Sequence, residues 1–263
     1  MMIKITKDKE KYYRLFDDFK YFHTFLAYTI NDHKPDIYVN HLDEPSCAVI
    51  YSFPAYLIYG DPSSEIIDDV LNLFGENSWI VTNSKKWYPL IEKHFKDEAI
   101  PHKRVMFDAS KLVKEKVLKY RRELEDDMRI EMITSEHLKS GIIKHDVIDR
   151  FFTISEFTKT GFGFVLLDNK NIAQGFCLTN YPAFGQDVEL YFRVGFDPSN
   201  IYREKGWGTT LCTYFIEYCM EHGYNPVWDA ANDISSHIAL KLGYVVSDEW
   251  IMYNKKKAEN NDL

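Results

Sequence analysis

The chain has 263 residues, of which 45% are hydrophobic and 16% aromatic, enough apolar material to fill one large core or two ordinary ones. A formal net charge of -8 on 27% charged residues excludes a sequence-independent nucleic-acid surface, which needs a basic excess, and permits a cationic substrate. The four cysteines, Cys47, Cys177, Cys212 and Cys219, lack CxxC spacing and read as reduced, buried thiols of a cytoplasmic protein, and no apolar run approaches the roughly 18 residues of a membrane span.

In chain order, the short apolar runs Ile37 to Val39, Cys47 to Phe53 and Ala55 to Tyr59 predict a small antiparallel set of strands. Ile66, Val70, Leu71 and Phe74 recur at helical spacing, which predicts a helix over Ser63 to Phe74 stopped by Gly75. Trp79 to Val81 reads as a strand, Lys85 to Phe95 as a helix and Arg104 to Phe107 as a further strand. From Ser110 to Arg129 charges occupy most positions with no proline or glycine, as in an exposed connecting segment, helical in part. The expected organisation is therefore an N-terminal α/β domain over 1–115, a charged connector over 116–128 and a second domain over 129–263.

The second domain opens with a strand at Ile130 to Ile133 and helical segments from Ser135, a cap candidate, to about Phe157, including a helix over Asp146 to Phe157. Phe162 to Asp168 and Ile172 to Leu178 form a hairpin around Asn169, Lys170 and Asn171, residues that tolerate left-handed backbone. Asp187 to Phe196 is a longer strand closed by Asp197 and Pro198, and Trp207, Leu211, Tyr214, Phe215 and Tyr218 mark a helix ended by Gly223. A strand thus leads through a glycine-bearing loop into a helix N-terminus, whose unpaired N–H groups and partial positive charge make an anion site. Beyond it come a strand over Tyr224 to Ala230, a helix capped at Asn232 or Asp233 and stopped at Gly243, and edge strands at Tyr244 to Val246 and Trp250 to Tyr253.

The loop contains neither GxGxxG nor GxxxxGK followed by Ser or Thr. It reads Arg203-x-x-Gly206-x-Gly208, which by itself is compatible with a tight turn and a close helix contact. That string resembles the pyrophosphate signature of the GNAT superfamily of acyl-CoA N-acyltransferases. A second resemblance follows in the right order: Asn232-x-x-Ser235 through Lys241-Leu242-Gly243-Tyr244, similar to the family element near the pantetheine. Trp228-Asp229-Ala230-Ala231-Asn232 further resembles a bacterial subgroup with an extra N-terminal domain, which includes proteins named for resistance to the antibiotic zwittermicin.

The resemblance implies a GNAT fold in the α/β (α+β) class, a mixed, mostly antiparallel central sheet flanked by helices, with acetyl-CoA as acyl donor. The N-terminal half, whose elements loosely echo the second, is expected to be a degenerate GNAT-like copy that shapes the acceptor side. Backbone groups of Arg193, Val194, Gly195 and Phe196 are expected on the pantetheine. Arg203, Glu204, Lys205, Gly206, Trp207, Gly208 and Thr209 are expected on the pyrophosphate, and Asn232 and Ser235 near the pantetheine. Glu189, which alternates with Tyr191 and Arg193 on one strand face, stands where many members hold a general base. An exposed glutamate, or one paired with Arg193, is the plainer alternative.

Ala239 stands where many members place a tyrosine acid, so another residue such as Tyr191 or a water protonates the thiolate, or the thiolate leaves unaided, or catalysis is feeble. Asp229 is a second carboxylate candidate, and His237 reads as an ordinary surface histidine. The nine histidines show no HExxH spacing, so no metal is expected. The leading reading is an N-acetyltransferase acting on a primary amine of a small molecule. Alternatives are an acyl-CoA sensor with little turnover, which Ala239 favours, and a protein or peptide N-acetyltransferase. No nucleic-acid or membrane partner is expected, and a homodimer is compatible with the reading. Acceptor contacts are expected from Lys139 to Thr160 and from Tyr181 to Gln186.

Overall fold

The computed structural model describes residues 1–33, 35–143, 148, 151, 153–195 and 205–256. Runs of β-branched and aromatic residues set the first strands. Ile3–Ile5 (β1), Asp36–Val39 (β2), Ala48–Ser52 (β3) and Ala55–Tyr59 (β4) pair antiparallel in sequence order, with Glu10–Tyr13 (α1) and His23–Tyr28 (α2) between β1 and β2. A crossover through Ile67–Leu71 (α3) then brings Ser78–Thr82 (β5) parallel to β4. Tyr88–Phe95 (α4) and the long strand Ala99–Asp108 (β6) follow.

The second half repeats that order. After Lys114–Leu118 (α5), strands Met128–Met132 (β7), Gly163–Asp168 (β8), Ala173–Thr179 (β9) and Asp187–Val194 (β10) pair antiparallel in sequence order. Ser135–Lys139 (α6) and Ile154–Thr160 (α7) stand between β7 and β8. A crossover through Trp207–His222 (α8) brings Asn225–Ala230 (β11) parallel to β10, before Asp233–Leu242 (α9) and Val245–Lys255 (β12). Four antiparallel strands with a helix pair in the first connection, a crossover helix, a parallel fifth strand and a further helix thus occur twice.

Two compact units result, Met1–Val105 with the described residues from Glu249 on, and Met106–Asp248. The division runs through β6 and β12 rather than through the charged segment. In the first unit the strand that follows β5 is the C-terminal part of β12, antiparallel with Tyr253 opposite Ile80. Tyr253 is buried in that unit's core among Ile58, Val70, Ile80, Trp87 and Ile91. The core of the second unit on its α6 and α7 side gathers Ile133, Leu138, Phe151, Phe157, Val165, Phe176 and Leu178.

Several elements differ from the sequence expectation. Tyr244 to Tyr253 is not two edge strands, because the polar stretch Ser247 to Glu249 stays extended within the single strand β12. The helix expected over Ser63 to Phe74 shrinks to α3, and β6 is more than twice as long as the expected strand, running through Pro101. Thr134, not Ser135, caps α6, its hydroxyl accepting from the His137 N–H while the His137 ring accepts from the Thr134 N–H. Thr153 caps α7, and 146–147, 149–150 and 152, within the helix expected over Asp146 to Phe157, lie outside the described residues.

The charged segment is not a free connector. Val117 is buried, Arg121 bridges Glu217 on α8 at 2.8 Å, and the Arg121 guanidinium lies 3.8 Å from the Tyr214 ring centroid. All four cysteines are buried with free thiols, as expected. No helix of the described residues is long and apolar enough to cross a membrane.

Candidate active site

β10 and β11 begin side by side and then part. Their parallel register runs Asp187↔Asn225, Val188↔Pro226 and Glu189↔Val227, and ends there, although β10 continues to Val194 and β11 to Ala230. On its other edge β10 stays bonded to β9 throughout: the Asn180 N–H donates to the Glu189 carbonyl at 2.7 Å and the Gly195 N–H to the Gln174 carbonyl at 3.0 Å. Backbone groups alternate sides along such a strand. Those of Glu189, Tyr191, Arg193 and Gly195 therefore serve β9, and those of Leu190, Phe192 and Val194 face the gap.

The corresponding place in the first unit is closed. There β4 and β5 pair along four registers to Ile58↔Thr82, and the Asn83 N–H extends the ladder to the Ile58 carbonyl. Gly60 has its N–H held by Asn83 Oδ1 at 3.1 Å and its carbonyl by Trp87 Nε1 at 2.8 Å. Asp61 next to it brings a carboxylate, bonded by Ser84 and Lys86, which repels phosphate.

In the second unit the strand leads to the N-terminus of α8. Gly206 adopts φ 83°, a left-handed conformation that glycine takes without strain, and Thr210 N–H makes the first helical bond to its carbonyl at 3.0 Å. The N–H groups of Trp207, Gly208 and Thr209 thus stand ahead of the helical ladder, where an anion is favoured. Gly208 lies against β10: a Cβ there would be 3.4 Å from Phe192 and 3.5 Å from Val194. Trp207 and Thr209 have buried side chains, so backbone is what they offer an anion. Lys205 pairs with Glu125 at 2.7 Å.

Phe196, Arg203 and Glu204 lie outside the described residues. Asn232 is the N-cap of α9, its Oδ1 accepting the Ser235 N–H at 2.9 Å, and the Ser235 hydroxyl accepts from the Trp228 indole at 3.0 Å. Both residues thus organise the end of β11 and the start of α9.

On the face of β10 turned toward α6 and α7, Glu189 occupies the last register before the strands part. It is only 6% exposed and its Oε1 accepts from Asn180 Nδ2 at 2.8 Å. Tyr191, exposed on the same face, packs its ring on Phe176 with centroids 5.5 Å apart. Ala239 is fully buried and His237 exposed. The Tyr244 phenol is sealed in the core, where burial pushes its pKa well up, and donates to the Pro226 carbonyl at 2.9 Å. It is therefore a structural hydroxyl rather than an acid.

Two residues near the site have no local signature. Asn180 follows β9 and orients Glu189 from nine positions away. Arg122, in the charged segment, donates from Nη1 to the Lys205 carbonyl at 2.6 Å across 83 positions. The adjacent Arg121 and Arg122, within a run of mixed charge, are the one hint the sequence holds.

A family model, that of the GNAT acetyltransferases, matches residues 14–253. The chain belongs to the GNAT acetyltransferase family. This GNAT acetyltransferase is 23% identical over 269 residues to the Uncharacterized N-acetyltransferase YdfB of Bacillus subtilis (strain 168), covering 95% of this chain and 97% of that one. Its fold is similar to the GCN5-related N-acetyltransferase-like protein from Streptococcus suis 89/1591, with TM-score 0.74 at 20% identity over 93% of this chain and 97% of that one. A tandem GNAT protein from the clavulanic acid biosynthesis pathway matches with TM-score 0.61 at 8% identity over 96% of this chain and 97% of the other. The GNAT acetyltransferase is thus an enzyme whose family uses acetyl-CoA as acyl donor.

Proposed function

We propose that this enzyme transfers an acetyl group from acetyl-CoA to a primary amine of a small molecule, by direct attack within a ternary complex. The observation that supports it most is Glu189, buried at the last paired register of β10 and β11, where the gap between the strands opens.

The residues around that gap fit CoA. Leu190, Phe192 and Val194 turn backbone donors and acceptors into it, suited to the amides of a pantetheine arm, and the α8 N-terminus beyond Gly206 suits a diphosphate. When bound, acetyl-CoA supplies a thioester carbonyl open to attack. Glu189, held by Asn180, accepts the proton that the attacking amine must lose. A carboxylate in a confined place also draws in a cationic ammonium, in keeping with the net charge of -8. Tyr191, two positions on along the same face, donates a proton to the departing sulfur, a role that Ala239 has no group to fill. A buried base favours a slender amine over a broad protein surface, which is why a small molecule is the preferred acceptor.

Thiol release from acetyl-CoA over a panel of aminoglycosides, polyamines, amino acids and peptides tests the reading. Turnover with a small amine is expected. Glu189→Gln is expected to lower kcat by roughly a hundredfold or more while CoA affinity is kept. Unchanged turnover of that variant across pH would sink the base assignment, and exclusive turnover of peptides would sink the acceptor class.

A further inference from the structure

The α8 N-terminus carries a cation that the glycine motif does not include. Arg122 comes from the segment before β7, and its guanidinium lies over Gly206: a Cβ on that glycine would stand 2.8 Å from Nε and 2.9 Å from Cζ. Two hydrogen bonds fix it there, Nη1 to the Lys205 carbonyl at 2.6 Å and the backbone N–H to Thr210 Oγ1 at 3.3 Å. Its neighbour Arg121 turns along the flank of α8, donating to Thr213 Oγ1 at 3.1 Å and to Glu217 at 2.8 Å. Successive arginines therefore divide the work, one fastening the segment to the helix and the next covering the helix entry.

Charge separates Arg122 from the cations around it. Lys114 holds Glu217 and Glu221, Arg121 holds Glu217, and Lys205 holds Glu125. Arg122 has no carboxylate partner among the described residues. A guanidinium has five N–H donors and cannot shed its charge at neutral pH, and the one acceptor of its side chain among the described residues, the Lys205 carbonyl, uses a single donor. An exposed guanidinium with no carboxylate partner among the described residues, fixed beside glycine backbone at the start of a 16-residue helix, has the composition of a diphosphate clamp.

We infer that Arg122 is a ligand of the CoA diphosphate, so that the anion subsite is built jointly by the Gly206 to Thr209 helix entry and an arginine from the segment preceding β7. This rests on the CoA reading above. It also accounts for the glycine at 206 twice over, once through φ and once through the space the guanidinium occupies.

The experiment measures calorimetric affinity of the full-length protein for CoA and for 3′-dephospho-CoA, in the wild type, Arg122→Gln and Arg122→Lys, with melting temperatures alongside. Arg122→Gln is expected to bind both ligands about tenfold or more weakly, the same factor for each, with the melting temperature within about 3 °C of wild type. Arg122→Lys should recover part of the loss, because a lysine replaces the charge without the fork. A loss seen with CoA and absent with dephospho-CoA would move Arg122 to the 3′-phosphate and overturn the assignment. Affinity within twofold of wild type overturns it as well, as does a loss in Arg122→Gln that is matched by a large fall in melting temperature and unrelieved by lysine. Failure of the wild type itself to bind either ligand would instead refute the CoA reading.

Discussion

Replacing Gly206 by alanine tests the geometry of the helix entry directly. At φ 83° an L-residue meets its own carbonyl, at a cost of about 1–2 kcal/mol. The new methyl would also stand 2.8 Å from Arg122 Nε, so the guanidinium must swing away and surrender its bond to the Lys205 carbonyl, about 1 kcal/mol more. The sum is about 2–3 kcal/mol, which at this chain length lowers the melting temperature by roughly 4–10 °C. Gly208→Ala is the internal control with the opposite sign. Its Cβ would meet Phe192 and Val194 at ordinary contact distance inside the helix, so alanine is expected to be neutral or stabilising by up to about 1 kcal/mol. Differential scanning calorimetry of both variants and of Gly206→Ala with Arg122→Gln decides the matter. The double variant should fall short of additivity by about the 1 kcal/mol that the vacated guanidinium no longer contributes. Equal shifts for the two glycine variants would refute the argument from φ, and strict additivity would refute the contact with Arg122. Gly206→Glu, which adds a carboxylate at the proposed anion subsite, should lose CoA binding altogether.

Asn232→Ala removes the α9 cap and should destabilise by about 1 kcal/mol in chemical denaturation, while Asn232→Ser retains most of that. Glu217 has its pKa raised by burial but lowered by more through the hydrogen bonds from Arg121 and Lys114, so that it falls below 4.5. A depressed carboxylate contributes stability that is fully present above about 4.5 and is lost as pH falls through the lower folded value. Arg121→Ala should therefore flatten the acid limb of a stability-against-pH curve below about 4.5, and an unchanged limb would show that the bridge does not operate. None of the four cysteines should react with a thiol reagent at neutral pH in the native protein, because all are buried and burial pushes the Cys47 thiol up to about 12. Stoichiometric labelling without denaturant would contradict the packing.

The order of elements, the Asn171 hairpin, the helix from Trp207 to Gly223 and the Asn232 cap were legible because each depends on residues within a few positions of one another. So was the strand, glycine loop and helix start of the candidate anion site, which are local features, and so was the face shared by Glu189, Tyr191 and Arg193, which follows from the strand's period of two. Pairing between distant strands was beyond the sequence. That β12 lies beside β5, that β10 and β11 part after Glu189 while β4 and β5 do not, and that Arg122 covers Gly206 are contacts between positions far apart in the chain. Local spacing records which residues lie on which face. It holds no record of which distant strand or arginine meets that face, because that choice is made by the packing of whole elements against one another.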